Sequence, residues 1–321
     1  MKKKQKIVVI YNEDDWYKKN PFKSQDTQKS FEDWHKRGQK NNIDFFRASV
    51  DWYNEKEHCF EKGWAYRNET WKKINSKICP DAIFDKIAGK YDYHFFEWKL
   101  KIAQKIPFFN NPLFRTIFDN KLSQYLILKK FMAPSFLVAT KKELSAVLKK
   151  VSSSKVVLKP LYGSGGAGII IEEKKQIAPA SLAYPILVQE FIKSDCGIPG
   201  FSTQKELSDL RMVFLNNSLI FSLSRIAKKG SLFTNFHKGA SAILVPEKKI
   251  PLSAKKMARE INSILGTFPK AHYSLDFIFT NQGRPVLIEI NTTPGFDLLN
   301  IVGNEKIKNK NFIEFTKTVF N

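Results

Sequence analysis

The chain has 321 residues, of which 43% are hydrophobic. That is enough for two or three lobes with real cores, and it argues against disorder as the dominant state. Lys and Arg number 53 against 31 Asp and Glu, a net charge of +22, which favours acidic partners such as nucleotides, polyanionic substrates, nucleic acid or an anionic membrane surface. The lysines are spread out, in short clusters such as Lys2-Lys3-Lys4 and Lys248-Lys249, so a solvated lysine-rich surface explains the charge as simply.

The N-terminus, Met1 to Tyr11, begins like a secretion signal, but its apolar run stops at Tyr11 before Glu13-Asp14-Asp15. That run is too short for a signal and has no small-residue cleavage site, so a first strand over Ile7 to Tyr11 is expected. No apolar run reaches the length of a bilayer span, and a cytoplasmic location is expected. Cys59, Cys79 and Cys196 are odd in number and widely spaced, which argues against a disulfide framework, and no CxxC pair offers a zinc site.

Asp26 to Gln39 reads as a helix, Asp44 to Val50 as a second strand and Ala82 to Asp85 as a third, giving an open α/β lobe up to about residue 115. All six tryptophans lie in this segment. They could stack bases or sugars, or fill and flank a core. After Asn111-Pro112, Asp119 to Phe131 has apolar residues at helical spacing, and Lys141 to Lys150 is a further amphipathic helix. A strand at Lys155 to Pro160 precedes Gly163-Ser-Gly-Gly-Ala-Gly and another strand at Ile169. A helix straight after the glycines, as a Rossmann or Walker loop needs, is missing. The loop reads as a mobile flap whose N–H groups could close over phosphates, or as a plain hairpin loop.

Further on, Ile186 to Ile192 is a strand and Lys193 to Glu206 a loop. Leu210 to Leu215 and Leu219 to Arg225 form a hairpin around Asn216-Asn217. Ser253 to Gly266 is a helix with Ser253 as its expected N-cap, and a terminal helix starts near Lys306. Between them, Ser274 to Phe279 and Val286 to Asn291 flank a Gly-containing turn and read as a hairpin. Its polar exceptions are Asp276 on one strand and Glu289 and Asn291, two apart, on one face of the other. Burying two carboxylates together is costly without a positive neighbour. A hard cation such as Mg²⁺ would satisfy them, and so would a local Arg or Lys.

Taken in order, Asp119-Asn-Lys121, Val157-Leu-Lys-Pro-Leu-Tyr-Gly-Ser-Gly-Gly-Ala-Gly168, Val188-Gln-Glu-Phe-Ile192, Asp209-Leu-Arg211, Arg225, Asn235-Phe-His-Lys-Gly239 and Glu289-Ile-Asn-Thr-Thr-Pro-Gly295 form an ordered set. From about residue 116 to the C-terminus the chain resembles the ATP-grasp superfamily. It is most similar there to the ligases that add glutamate to a ribosomal protein and to glutathione-synthase-like enzymes. The resemblance implies an α/β (α+β) fold in which two α+β lobes sandwich ATP behind a small α/β domain. The expected divisions are 1–115, 116–192 with the flap, and 193–321 with the metal-binding hairpin.

The resemblance also implies roles. Lys121 and Lys159 would contact ATP phosphates, and Gly163, Ser164, Gly165 and Gly166 would cover the γ-phosphate. Gln189, Glu190, Phe191 and Ile192 would bind adenine, with Glu190 near its amino group, and Asp209 would lie near the ribose. Asp276, Glu289 and Asn291 would hold one or two Mg²⁺ ions, with Mn²⁺ as an alternative. Arg211 and Arg225 would stabilise the transferring phosphoryl group and a later oxyanion, or else form an ordinary ion pair. Asn235 would help bind phosphate or metal.

The implied reaction joins a carboxylate to an amine, or less often a thiol, through an acyl phosphate. An amino acid or peptide is an expected substrate, and acidic acceptors are the first to test. The chain departs from the ribosomal-protein ligases at Phe233 and Thr234, where those carry Arg and Ser, at Gly239-Ala240 instead of a double glycine, and in a longer stretch from Lys193 to Ser208. These changes touch the substrate side. Two other classes are carried as alternatives. One is a small-molecule kinase on the same fold. The other is a basic nucleic-acid-binding protein, although no nucleic-acid-binding motif of recognised spacing is present.

Overall fold

The computed structural model describes residues 4–89, 93–202, 206–235, 238–295 and 297–320. The motif residues Phe236 and His237, the 203–205 stretch of the loop after Lys193, and Lys2 and Lys3 lie outside the described residues. The chain divides into two compact units, one of residues 1–116, 268–272 and 293–321, the other of residues 117–267 and 273–292.

The first unit grows from β1 (Gln5–Tyr11), whose Ile7 to Ile10 are buried. Such a continuous apolar run suits a parallel strand covered on both faces. Helix α1 (Gln25–Lys40) follows, and the Ser24 hydroxyl accepts the Thr27 N–H at its N-terminus. Strand β2 (Ile43–Ser49) returns parallel to β1. Two short strands, β3 (Tyr53–Asn54) and β4 (Cys59–Phe60), pair antiparallel. Then come β5 (Gly63–Arg67), β6 (Thr70–Ile74), β7 (Ala82–Asp85), α2 (Phe96–Ala103), β8 (Phe108–Phe109) and α3 (Pro112–Phe118). The sheet order is β6-β5-β2-β1-β7-β8. Trp52 and Trp64 are buried in its core, and Trp16, Trp71 and Trp98 pack against it. These five tryptophans build a core.

One expectation fails here. Cys59 and Cys79 form a disulfide. An antiparallel bridge between Phe60 and Ile78, with N–H···O distances of 2.9 and 2.8 Å, brings the two cysteines together. That contact is non-local, so cysteine spacing could not reveal it. Cys196 is free and exposed.

The second unit begins with α4 (Lys121–Leu128), capped by the Asn120 side chain. Strand β9 (Ser135–Val138), α5 (Leu144–Lys150), β10 (Lys155–Pro160), β11 (Ile170–Glu173) and β12 (Ile186–Glu190) complete one half. Its four-stranded sheet has the order β11-β10-β12-β9. Next come β13 (Ser208–Leu215) and β14 (Ser218–Ile226). Asn216 and Asn217 at their turn have φ of 47° and 64°, as a tight hairpin of matching twist needs. Strand β15 (Ser241–Leu244), α6 (Leu252–Leu265), β16 (His272–Phe279) and β17 (Pro285–Asn291) follow, and the second sheet has the order β15-β14-β13-β16-β17. Helix α6 starts after Pro251 with no side-chain cap. Ser253 therefore lies inside its first turn and is not the expected cap, because the fixed φ of proline already sets the helix entry.

The last elements, α7 (Asp297–Val302) and α8 (Glu305–Phe320), belong to the first unit. Trp34, buried on α1, packs edge-on against Phe312 and Phe315 at 5.6 and 4.6 Å.

Candidate active site

Within the second unit, a cleft lies between the two sheets. Val157, Ile169, Ile171, Ile278 and Ile288 give it apolar walls. Lys159, Arg225, Asp276, Glu289 and Asn235 bring charge and polarity to it.

Pairing in the β16–β17 hairpin places Asp276 opposite Glu289 and Ser274 opposite Asn291, with an irregularity after Asp276. The hairpin thus assembles the expected oxygen set. The two carboxylates differ sharply in environment. Asp276 is 2% exposed and carries four hydrogen bonds. Arg211 donates from Nε to Oδ1 at 2.8 Å and from Nη2 to Oδ2 at 2.7 Å. Arg225 Nη2 adds a bond to Oδ2 at 2.8 Å, and the Ser274 hydroxyl one to Oδ1 at 3.2 Å. Burial opposes the charge of Asp276, but the two guanidinium groups outweigh it and hold its carboxyl down at about 2. Glu289, half-buried on the cleft wall, accepts no hydrogen bond and makes no ion pair among the described residues.

Arg225 also donates from Nε to Asp209 Oδ1 at 2.8 Å and from Nη2 to Asp209 Oδ2. The Thr234 hydroxyl donates to the same Oδ2 at 2.6 Å. Asp209 is fully buried, and burial raises its pKa against the pull of Arg225. Burial works against the charge of Arg225 as well, yet Asp209 and Asp276 hold its pKa above the ordinary value. Two arginines and two aspartates therefore form one buried, internally neutral network.

Lys159, at the end of β10, is 6% exposed, and its Nζ donates to the Ile288 carbonyl at 3.0 Å. Burial lowers its pKa to about 8, partly offset by Glu289. Lys121 sits in the first turn of α4, and its Nζ donates to the Gly163 carbonyl at 2.6 Å, at the base of the glycine-rich loop. In that loop Gly166 has φ of 77°, and a Cβ there would stand 2.7 Å from Asn235 Oδ1. Glycine is required at this point both by conformation and by the approach of Asn235.

At the end of β12, Glu190 N–H donates to the Pro134 carbonyl at 2.9 Å and Phe191 N–H to Ser153 Oγ at 3.1 Å. The Glu190 carboxylate accepts the Ser152 N–H at 2.8 Å, and Gln189 donates to Ser135 Oγ at 2.9 Å. All four residues from Gln189 to Ile192 border the cleft.

Lys159, Gln189 to Ile192, Arg225, Asn235, Asp276 and Glu289 thus converge on one cleft. Lys121, the loop glycines with Ser164, Asp209, Arg211 and Asn291 are not on its wall. Asp209 stands behind Arg225 with its oxygens engaged, so its placement offers no ribose contact. Sequence reading marked Thr234 only as a departure from a pattern. Its tie to Asp209 has no local signal, since the two are 25 residues apart.

All ligands in the candidate metal set are oxygens, as a hard cation prefers. Among the described residues no three His, Cys, Asp or Glu side chains form a metal cage, and the set here is two carboxylates and an amide. Glu289 has uncommitted oxygens, whereas Asp276 has its acceptor positions filled by Arg211, Arg225 and Ser274. The set fits a cation through Glu289 first.

Residues 119–311 match the profile of the RimK-like ATP-grasp domain. A probable alpha-L-glutamate ligase of Nitrosococcus oceani is 29% identical over 182 residues, 54% of this chain and 54% of that protein. The chain thus spans about half the length of the curated relatives it matches. Among solved structures, D-alanyl-alanine synthetase A from Vibrio cholerae aligns over 100% of both chains with a TM-score of 0.64 and 15% identity. D-alanine–D-alanine ligase from Bacillus anthracis, complexed with ATP, aligns over 98% of this chain and 97% of its own with a TM-score of 0.65 and 14% identity.

Proposed function

Because the chain belongs to the RimK-like ATP-grasp family, we propose that it is an ATP- and Mg²⁺-dependent ligase that joins a carboxylate to an amine, releasing ADP. The observation that carries this reading is the convergence of Lys159, Arg225, Asp276 and Glu289 on one cleft. Sequence relatives named as glutamate ligases support it, and none of the names reported above supports the kinase or nucleic-acid alternatives.

In the proposed reaction a carboxylate oxygen attacks the γ-phosphorus and the bond to ADP breaks. The amine then attacks the acyl carbon, phosphate leaves with its electron pair, and the nitrogen loses a proton. Lys159 would neutralise phosphate charge, and Lys121 would hold the base of the loop that closes over it. Arg225 would face charge that develops on the phosphoryl group, while Arg211 holds Asp276 in place. Glu289, with Asn291 beyond it on β17, would hold Mg²⁺, and Asp276 would join them by releasing a donor. When bound, the cation would supply positive charge that neutralises phosphate oxygens. The apolar wall from Val157 to Ile171 would pack on adenine and keep water from the acyl phosphate.

An amino acid or peptide with an acidic acceptor is the proposed substrate class, in keeping with the +22 charge. Among the described residues no helix is long and apolar enough to cross a membrane. We place the protein in the cytoplasm, where ATP is supplied. The Cys59–Cys79 disulfide is unusual in that compartment, and alkylation in intact cells tests the assignment, since a bridge found there counts against a cytoplasmic location. An ADP-release screen against paired amino acids, peptides and acidic polymers tests the activity. Release that needs both an acid and an amine supports it, and release with a polyol alone points to a kinase.

A further inference from the structure

Resting on that reading of the cleft, we propose that Thr234 and Asp209 are positioning residues. Together they latch the 227–235 segment to the sheet, which fixes Asn235 under the glycine-rich loop and Arg225 at the cleft as one unit.

The segment leaves β14 with Ala227 N–H bonded to the Leu207 carbonyl at 2.8 Å. From 228 to 235 its described hydrogen bonds are almost all internal. Ser231 N–H donates to the Lys228 carbonyl, and Phe233 N–H to Ser231 Oγ. Among the described residues, one bond ties this stretch to the sheet, from Thr234 Oγ1 to Asp209 Oδ2 at 2.6 Å. Phe233 and Asn235, on either side of Thr234, both border the cleft. The same Asp209 carboxylate accepts two bonds from Arg225. A single fully buried carboxylate therefore sets the position of a cleft arginine and of the segment that carries Asn235. Fixing Asn235 matters because Gly166 packs against it with no room for a Cβ. The branched Cβ of threonine restricts χ1 and keeps its hydroxyl aimed at Asp209.

Valine keeps the shape of Thr234 and removes the donor, whereas serine keeps the donor. The test is hydrogen exchange over 227–235 in the full chain, with and without Mg–ADP, together with steady-state ATP turnover. For Thr234→Val, exchange across 227–235 should rise about tenfold, with the rest of the second unit unchanged, as loss of a hydrogen bond to a charged group implies. Its kcat should fall about tenfold while KM for ATP moves less than about threefold, because the bond positions reacting groups and does not bind nucleotide. Thr234→Ser should stay within about threefold of the parent in both. If Thr234→Val does not fold, Thr234→Ala gives the same comparison. Parent-like exchange in the valine variant, or equal damage in the serine variant, overturns the latch. Failure of the ligase reading looks different. The parent would then show no acid- and amine-dependent ADP release, while the exchange contrast between valine and serine would persist.

Discussion

Asp276 and Glu289 stand opposite each other on adjacent strands, yet only Asp276 is held by arginines. The hairpin therefore contains one carboxylate already neutralised by protein and one with open oxygens on the cleft wall. On that asymmetry rests our proposal that cation binding depends on Glu289.

Replacing Glu289 with Gln should lower Mg²⁺-dependent ATP turnover by about 100-fold, the scale of losing one electrostatic contact to a transition state. The melting temperature should stay near that of the parent, since Glu289 holds no described partner. Calorimetry alongside an ADP-release assay checks both. Unchanged turnover would remove Glu289 from the metal set.

Arg211→Met should be costly in a different way. It strips Asp276 of two of its four bonds and leaves a buried carboxylate under-compensated, a loss of about 3–5 kcal/mol. Urea unfolding reads this. Adding Asp276→Leu should recover much of the loss, because removing both partners of a buried pair is far milder than removing one. Additive losses in the double variant would contradict the network.

His35 and His272 are both buried, and burial pulls each pKa from 6.5 down to about 3, with Arg67 adding to the effect at His35 and Lys86 at His272. The folded protein therefore binds fewer protons than the unfolded chain between these values. Stability should fall as pH drops from 6.5 toward 3. Asp276 adds a further loss as pH drops from 3.8 toward 2. In a pH series of unfolding free energies, His35→Gln should flatten the slope above pH 4. A slope identical to the parent would mean His35 is not buried in its neutral form.

Lys159 carries its charge below about pH 8 in the nucleotide-free protein. Mg–ADP affinity should therefore weaken as pH rises through 8, by up to about tenfold per unit. Lys159→Arg, which stays charged, should remove that dependence even if it binds more weakly overall. Isothermal titration from pH 7 to 9.5 measures this, and a flat parent profile would take Lys159 out of phosphate binding.

Much of this site was legible in the sequence because it is built on strands. Two-residue alternation puts Glu289 and Asn291 on one face, and the Gly-containing turn fixes the pairing that brings Asp276 to Glu289. Lys159 and the glycines were readable from the strand that ends before them. What escaped is non-local. The Cys59–Cys79 disulfide depends on a bridge between Phe60 and Ile78. Asp209 faces Arg225 across the β13–β14 hairpin, but its bond to Thr234 depends on how one loop folds over the sheet. The start of α6 at Leu252 carries no serine-cap signal, because Pro251 does by geometry what a serine cap does by hydrogen bonding.

In the proposed reaction a carboxylate of the substrate is activated by phosphorylation and then captured by an amine. The direct measurement uses the acid and amine that together release ADP, with ¹⁸O in both carboxylate oxygens. Mass spectrometry of the released phosphate should find one ¹⁸O atom transferred per amide formed, because the oxygen that attacked phosphorus leaves with it. Phosphate free of ¹⁸O, with all label left in the organic product, would rule out an acyl phosphate.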